Sequence, residues 1–260
     1  MSQKELILAI ETSSRTGSVA IGNEDELWVW KTFTGEMRHS MEILPFIQGL
    51  LAQVHATPDD LKQVYLSGGP GSFTGLRIGV TLAKTMALAN AARIVAVNTL
   101  DVIASNIPVT NDTPQIIVPI LDAKRNHFFV GVYGRPSADP TALHAKAHPT
   151  IDRIGPDWVK IQPDTIMTAE QLINRFKNPN NTVGLIGDGL VYHQDRFQAE
   201  GIRLLDRRYW TPTAAHVFRL GRHKARCGEF EDPLQLTPLY LMPPEVTLSR
   251  NQTSNIKDQR

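Results

Sequence analysis

Cysteine is almost missing from this chain. Cys227 is the single one in 260 residues, so no internal disulfide can form, and the expected setting is reducing. An excess of either charge is missing too. The 27 Lys and Arg against 26 Asp and Glu leave a net +1, which gives no overall attraction to nucleic acid or an anionic membrane. Contact with a polyanion must then be local or carried by a partner. No apolar run approaches the ~20 residues of a membrane span, and MSQKELILAI lacks the charged opening and apolar core of a leader. A soluble cytoplasmic protein without membrane contact is expected.

The most informative stretch present is SGGPGSFTGLRIG at 67–79, which joins a short apolar strand at 64–66 to a long helix. Glycines there let backbone N–H groups approach an anion at the positive end of the helix. A tight strand-to-helix turn without a ligand explains the same glycines. The motif has no Lys, which excludes a phosphate loop of the Walker type. Along the helix, expected over 75–91, Gly75, Gly79, Ala83, Ala87 and Ala91 recur every fourth residue and make a ridge of minimal side chains. Another helix or a sheet can come unusually close to such a ridge.

Upstream, the runs 6–10, 17–21 and 27–31 predict a three-stranded meander, followed by a helix over 40–54. Its apolar positions, Met41, Ile43, Leu44, Ile47, Leu50, Leu51 and Val54, make a stripe wider than one core-facing side needs. Pro45 must lie in its first turns or kink it. Thr57-Pro58-Asp59-Asp60 carries helix-start signals. A strand is expected at 94–97, with Asn98-Thr99 capping a further helix. A second series follows: strands at 115–121 and 127–133, a Pro- and Ala-rich excursion to about 163, a helix over 168–177 whose Thr168 and Gln171 fit a capping box, and a strand at 182–186 ending in Gly187-Asp188-Gly189. The two halves echo one another, as in an α/β fold with duplicated lobes. The tail from 243 is polar.

The string GGPGSFTGLRIG, with ILAIETSS at 7–14, RHSMEILP at 38–45, VNTL at 97–100, LDAKRNHFFVGVY at 121–133, GDGL at 187–190 and LTPLYL at 236–241, resembles the TsaB (YeaZ) family of the glycoprotease-like superfamily. That family is the dimerization subunit of the bacterial machinery that places threonylcarbamoyl groups on tRNA adenosine. The resemblance implies an α/β, two-lobed actin/hexokinase/Hsp70-like ATPase fold with duplicated RNase H-like lobes: an N-terminal lobe at 1–105 carrying the pairing helices, a C-terminal lobe at 106–242 and a polar tail at 243–260. It implies a non-catalytic scaffold that pairs with a TsaD-type catalytic paralogue, works with a TsaE-type ATPase, reaches tRNA through the complex and self-pairs when isolated. The pairing surface falls on the first two helices, at Met41, Leu44, Ile47, Leu51, Gly75, Gly79, Ala83 and Ala87.

In folds of this kind an acid and small hydroxyls after the first strand surround nucleotide phosphates. That makes Glu11, Thr12, Ser13, Gly71 and Ser72 the candidate nucleotide contacts, with weak ATP or ADP binding. Glu11 is one methylene longer than the family's usual Asp, which disfavours direct metal ligation. The catalytic relatives hold a metal through two histidines four residues apart; here His39 faces Ile43, so no metal is expected. The rival readings are an independent ATP-binding enzyme of the sugar-kinase kind and a peptidase using Ser72 or Cys227. Ser72 lacks the leading glycine of a G-x-S-x-G elbow, and an isolated Cys227 beside Arg226 is weak evidence for a nucleophile. Seven Lys or Arg between 203 and 226 form a local basic cluster, with Tyr209 and Trp210 as candidate stacking surfaces for RNA.

Overall fold

The computed structural model describes residues 5–34, 39–136, 153–154, 158–179 and 181–241. Strands β1 (Leu6–Glu11), β2 (Thr16–Gly22) and β3 (Leu27–Thr34) form an antiparallel meander, onto which β4 (Leu61–Gly69) and β5 (Arg93–Asn98) add in parallel, in the order β3-β2-β1-β4-β5. Helices α1 (His39–Gln53) and α2 (Phe73–Asn90) cover one face, and α3 (Thr99–Ala104) leads into the second lobe. There β6 (Ile116–Lys124), β7 (His127–Gly134), β8 (Arg153–Ile154), β9 (Trp158–Thr168), β10 (Val183–Ile186) and β11 (Ile202–Leu204) form a sheet in the order β11-β10-β6-β7-β9-β8, with α4 (Ala169–Phe176) between β9 and β10. Matching β6, β7, β9, β10 and β11 to β1 to β5 reproduces the first lobe's order and strand directions, so the duplicated, two-lobed α/β fold is present. Two elements differ, the first being β8, an extra edge strand with no counterpart in the first sheet. Where α2 links β4 to β5, only short 3₁₀ turns link β10 to β11.

Alternation along β1 builds two cores. Leu6, Leu8 and Ile10 pack under α1 and α2, while Ile7 and Ala9 join a larger cluster with the second lobe and α5 (Ala214–Arg226). All five are fully buried, and each large one contributes on the order of 1.5–3 kcal/mol. Residues 214–241, which fall in the expected C-terminal lobe, lie against the first sheet: α5 packs on β1, β4 and β5, the Glu231 N–H donates to the Ile94 carbonyl at 2.8 Å, and the Leu239 N–H donates to the Gly68 carbonyl at 2.7 Å. The tail at 243–260 lies outside the described residues.

Two local expectations need correction. Thr57–Asp60 starts no α-helix. Pro58–Asp60 is a single 3₁₀ turn, closed when Asp60 Oδ2 accepts from the Thr57 N–H at 2.8 Å and its hydroxyl at 3.0 Å, and Leu61 already belongs to β4. The Pro- and Ala-rich excursion ends earlier than expected, because β9 occupies 158–168. That strand is polar for a reason. Lys160 Nζ sits 2.8 Å from Asp101 Oδ1 and 2.9 Å from Asp164 Oδ1, Tyr133 donates its hydroxyl to Asp101 at 2.6 Å, and Asn98, the α3 cap, reaches Asp164 at 2.5 Å. These groups tie the end of β5 to the second sheet.

Candidate functional site

Glu11 ends β1 fully buried. Its Oε1 accepts from the Ser13 N–H at 2.6 Å and the Ser13 hydroxyl at 2.5 Å, and its Oε2 accepts from the Ser67 hydroxyl. Burial raises its pKa, and the serine hydrogen bonds pull the other way. Both oxygens are spent on the protein itself, so the carboxylate is not presented to a cleft.

The glycine-rich turn is closed in the same manner, by backbone. A Cβ on Gly69 would lie 2.6 Å from the Leu239 carbonyl, one on Gly71 2.4 Å from the Ser13 carbonyl, and one on Gly75 1.8 Å from the Thr12 carbonyl. Gly69 and Gly71 also sit at φ 121° and 159°. The β1–β2 turn, the start of α2 and the 236–241 strap therefore meet at distances only glycine permits. Hydrogen bonds seal the junction. The Ser72 N–H donates to the Ser13 carbonyl at 2.7 Å, the Thr12 hydroxyl donates to the Gly75 carbonyl at 2.8 Å, and Ser72 Oγ caps α2 by accepting from the Gly75 N–H at 3.3 Å. Thr12, Ser13, Gly71 and Ser72 are thus brought together with Glu11 as expected, but bonded to one another.

The small ridge of α2 faces inward. Gly75, Gly79 and Ala83 are buried, with Gly79 near the Thr12 hydroxyl, and Ala87 packs partly buried against the same core. On α1, Ile47 and Leu51 are each 3 % exposed and pack with β2 and β3 residues, so they too belong to the core and not to an outward surface. Periodicity had placed each set on one face; the packing shows which face. Leu44 does point outward, Pro45 lies inside α1 on its exposed side, and the side chains of His39 and Met41 lie outside the described residues.

What the turn leaves exposed carries little charge. On the described parts of α1 and α2 the exposed positions are Leu44, Pro45, Gln48, Gly49, Ala52 and Gln53, and Phe73, Thr74, Arg77, Thr81, Thr85, Leu88 and Ala89, with Arg77 the only charge among them. Arg77 itself lies over the Phe73 ring, 3.7 Å from its centroid, and its Nε donates to the Tyr240 hydroxyl at 3.3 Å.

Across the cleft, at the ends of β6 and β10, lie Asp122 and Asp188. Arg15 of the β1–β2 turn reaches both, each at 3.7 Å, and stacks 4.0 Å from the centroid of the exposed Tyr192 ring. Burial raises the Asp188 pKa, and Arg15 opposes the rise. The signal for this cluster was the duplication itself, since β6 and β10 match β1 and β4, whose ends carry Glu11 and Ser67.

The basic run at 203–226 does not form one surface. Arg219 donates to the Ser105 carbonyl, Arg222 and Arg226 cap carbonyls at Glu24 and Asp25, Lys224 pairs with Glu229, and Arg203 binds the Asp112 carbonyl. Trp210 is 5 % exposed with its indole N–H donated to the Leu205 carbonyl, so it is no stacking platform. No group of three His, Cys, Asp or Glu among the described residues could hold a metal. Ser72 is spent as a cap with no histidine bonded to it among those residues, and Cys227 is a free, exposed cap at the end of α5. No helix is long and apolar enough to cross a membrane among the described residues.

Comparison with known proteins gives the family. A family model described as TsaD: tRNA N6-adenosine threonylcarbamoyltransferase matches residues 35–182. The tRNA threonylcarbamoyladenosine biosynthesis protein TsaB of Bacillus subtilis strain 168 is 38% identical over 127 residues, 49% of this chain and 54% of that protein, so the match spans about half of the relative's length. TsaB of Escherichia coli K12 is 27% identical over 235 residues, 90% of this chain and 94% of its own. The solved structure of YeaZ from Pseudomonas aeruginosa superposes with a TM-score of 0.70 at 19% identity, over 91% of this chain and 99% of that one, which shows a shared fold. The chain belongs to the TsaD family of tRNA N6-adenosine threonylcarbamoyltransferases, as a member of its TsaB (YeaZ) group.

Proposed function

We propose that this protein is an accessory subunit, without catalysis of its own, of the assembly that makes tRNA threonylcarbamoyladenosine, and that it pairs with a TsaD-type catalytic paralogue through the outward face of α1 and α2. The observation that carries the proposal is the near absence of charge on that face. Leu44 is 49 % and Leu88 80 % exposed, and Arg77 is the only charged residue among the exposed positions described on the two helices. Gly49 has open space for 4 Å around where a Cβ would stand, so a partner's backbone can come close there. Surfaces depleted of charge around exposed apolar groups are characteristic of the centre of protein interfaces. In the isolated protein the same face pairs two copies.

The closed glycine turn and the fully bonded Glu11 support a scaffold over an ATPase, with ATP and ADP bound weakly at most. A TsaE-type ATPase and tRNA join through the complex, in the cytoplasm. Reconstitution tests the proposal: threonylcarbamoyl transfer to tRNA by the catalytic paralogue should depend on this chain, and this chain alone should show no turnover. Transfer that is unchanged when the chain is left out would reject it.

A further inference from the structure

We infer that the cleft between the lobes holds a receptor for a small oxyanion, centred on Arg207. Every other arginine whose side chain is described has a partner, whether a carboxylate, a carbonyl, an amide or an aromatic ring. Arg207 has none among the described residues. It sits at the rim of a pocket of about 190 Å³ between the β1–β2 turn, the end of β10 and the approach to α5.

The pocket walls supply what an oxyanion needs besides charge. Thr16 and Thr211 line it from opposite lobes, and neither hydroxyl has a partner among the described residues, so both are free to donate. Arg15 contributes a second guanidinium, already shared with Asp122 and Asp188. Trp210 gives an apolar wall. A planar guanidinium facing hydroxyls recognises carboxylate and phosphate oxygens through charge-assisted hydrogen bonds. The pocket is small beside sites for drug-sized ligands, which start at about 300 Å³, so a single carboxylate or phosphate group is the part of a ligand it encloses. Asp188 on the same wall disfavours a second negative charge. This inference stands apart from the pairing face, which lies on other elements.

The test is thermal unfolding of the full chain titrated with sodium phosphate or sodium acetate, with ionic strength held constant by sodium chloride. A saturable stabilisation by either probe is expected, and the probe that acts identifies the source of the oxyanion. Arg207→Gln should raise the apparent Kd by roughly tenfold or more, and Thr211→Val should raise it less. Arg208→Gln, whose native side chain pairs with Asp206 at 3.6 Å, should bind as the parent does. With no partner to lose, Arg207→Gln should melt at the parent's temperature without ligand and still pair with the catalytic paralogue. No saturable shift with either probe overturns the inference, as does equal weakening by Arg207→Gln and Arg208→Gln, or a shift that survives Arg207→Gln.

Discussion

Gly75→Ala is the sharpest probe of the glycine-rich turn, because two physical effects oppose each other there. In an exposed helix interior, Gly to Ala stabilises by about 0.5–1 kcal/mol through helix propensity. At Gly75 the new methyl would lie 1.8 Å from the Thr12 carbonyl oxygen, so the β1–β2 turn and the first turn of α2 must separate by more than an ångström. The Thr12–Gly75 bond at 2.8 Å and the Ser72–Ser13 bond at 2.7 Å span that gap and would break or stretch. Overpacking costs about 1–3 kcal/mol and each hydrogen bond about 1 kcal/mol, which leaves a net loss of roughly 2–4 kcal/mol after the propensity gain. Gly49→Ala is the matched control: nothing stands within 4 Å of its Cβ, so it should gain a few tenths to about 1 kcal/mol. Urea unfolding followed by circular dichroism reads both. A Gly75→Ala protein as stable as the parent would refute the closed-junction account of the motif.

Three further outcomes follow from the packing. His216, whose pKa is lowered to about 4 by burial and then by Arg219, must take up a proton on unfolding below its ordinary value of 6.5. Stability should therefore rise with pH from about 4 to 6.5, by up to about 1.4 kcal/mol per pH unit, and His216→Gln should flatten that part of the profile of urea midpoint against pH. Lys160→Met would strand the buried Asp101 and Asp164 carboxylates and should cost about 3–5 kcal/mol in the same assay, where an exposed ion pair would cost under about 1. Glu11→Gln keeps the shape, but with its carbonyl oxygen left to Ser13 its NH2 meets the Ser67 hydroxyl where a carboxylate oxygen accepted, so it should destabilise by about 1–3 kcal/mol without changing ADP affinity measured by calorimetry.

Strand runs, the capping box at Thr168 and the duplication were legible because each is a local pattern or a repeat of one. The missed strand β9 was not, since Lys160, Gln162, Pro163 and Asp164 make it polar; the sheet tolerates them because Lys160 neutralises two buried acids and Arg175 bonds to Gln162. Four-residue spacing told that Gly75, Gly79 and Ala83 share a side of α2, but spacing carries no information about what that side meets. Thr12, sixty-odd residues away in the chain, decides it. The sequence reading put Ile47, Leu51 and the α2 ridge on an outward surface, whereas all of them pack inward. Arginine-rich α5 looked like a ligand surface because sequence does not show that its charges cap carbonyls of the first lobe. Arg207 stands out only in three dimensions, where every other arginine with a described side chain has a partner.

The central claim is that the charge-poor face of α1 and α2 is where this subunit pairs, and sedimentation of folded variants with the TsaD-type paralogue tests it most directly. Leu88→Glu and Gly49→Arg alter side chains that point to solvent, so their folding stability should fall by no more than about 1 kcal/mol. A charge desolvated without a partner at the centre of an interface costs on the order of 2–5 kcal/mol, so the complex with the paralogue should dissociate at concentrations where the parent remains paired. Stable variants that sediment with the paralogue as tightly as the parent does would contradict the account.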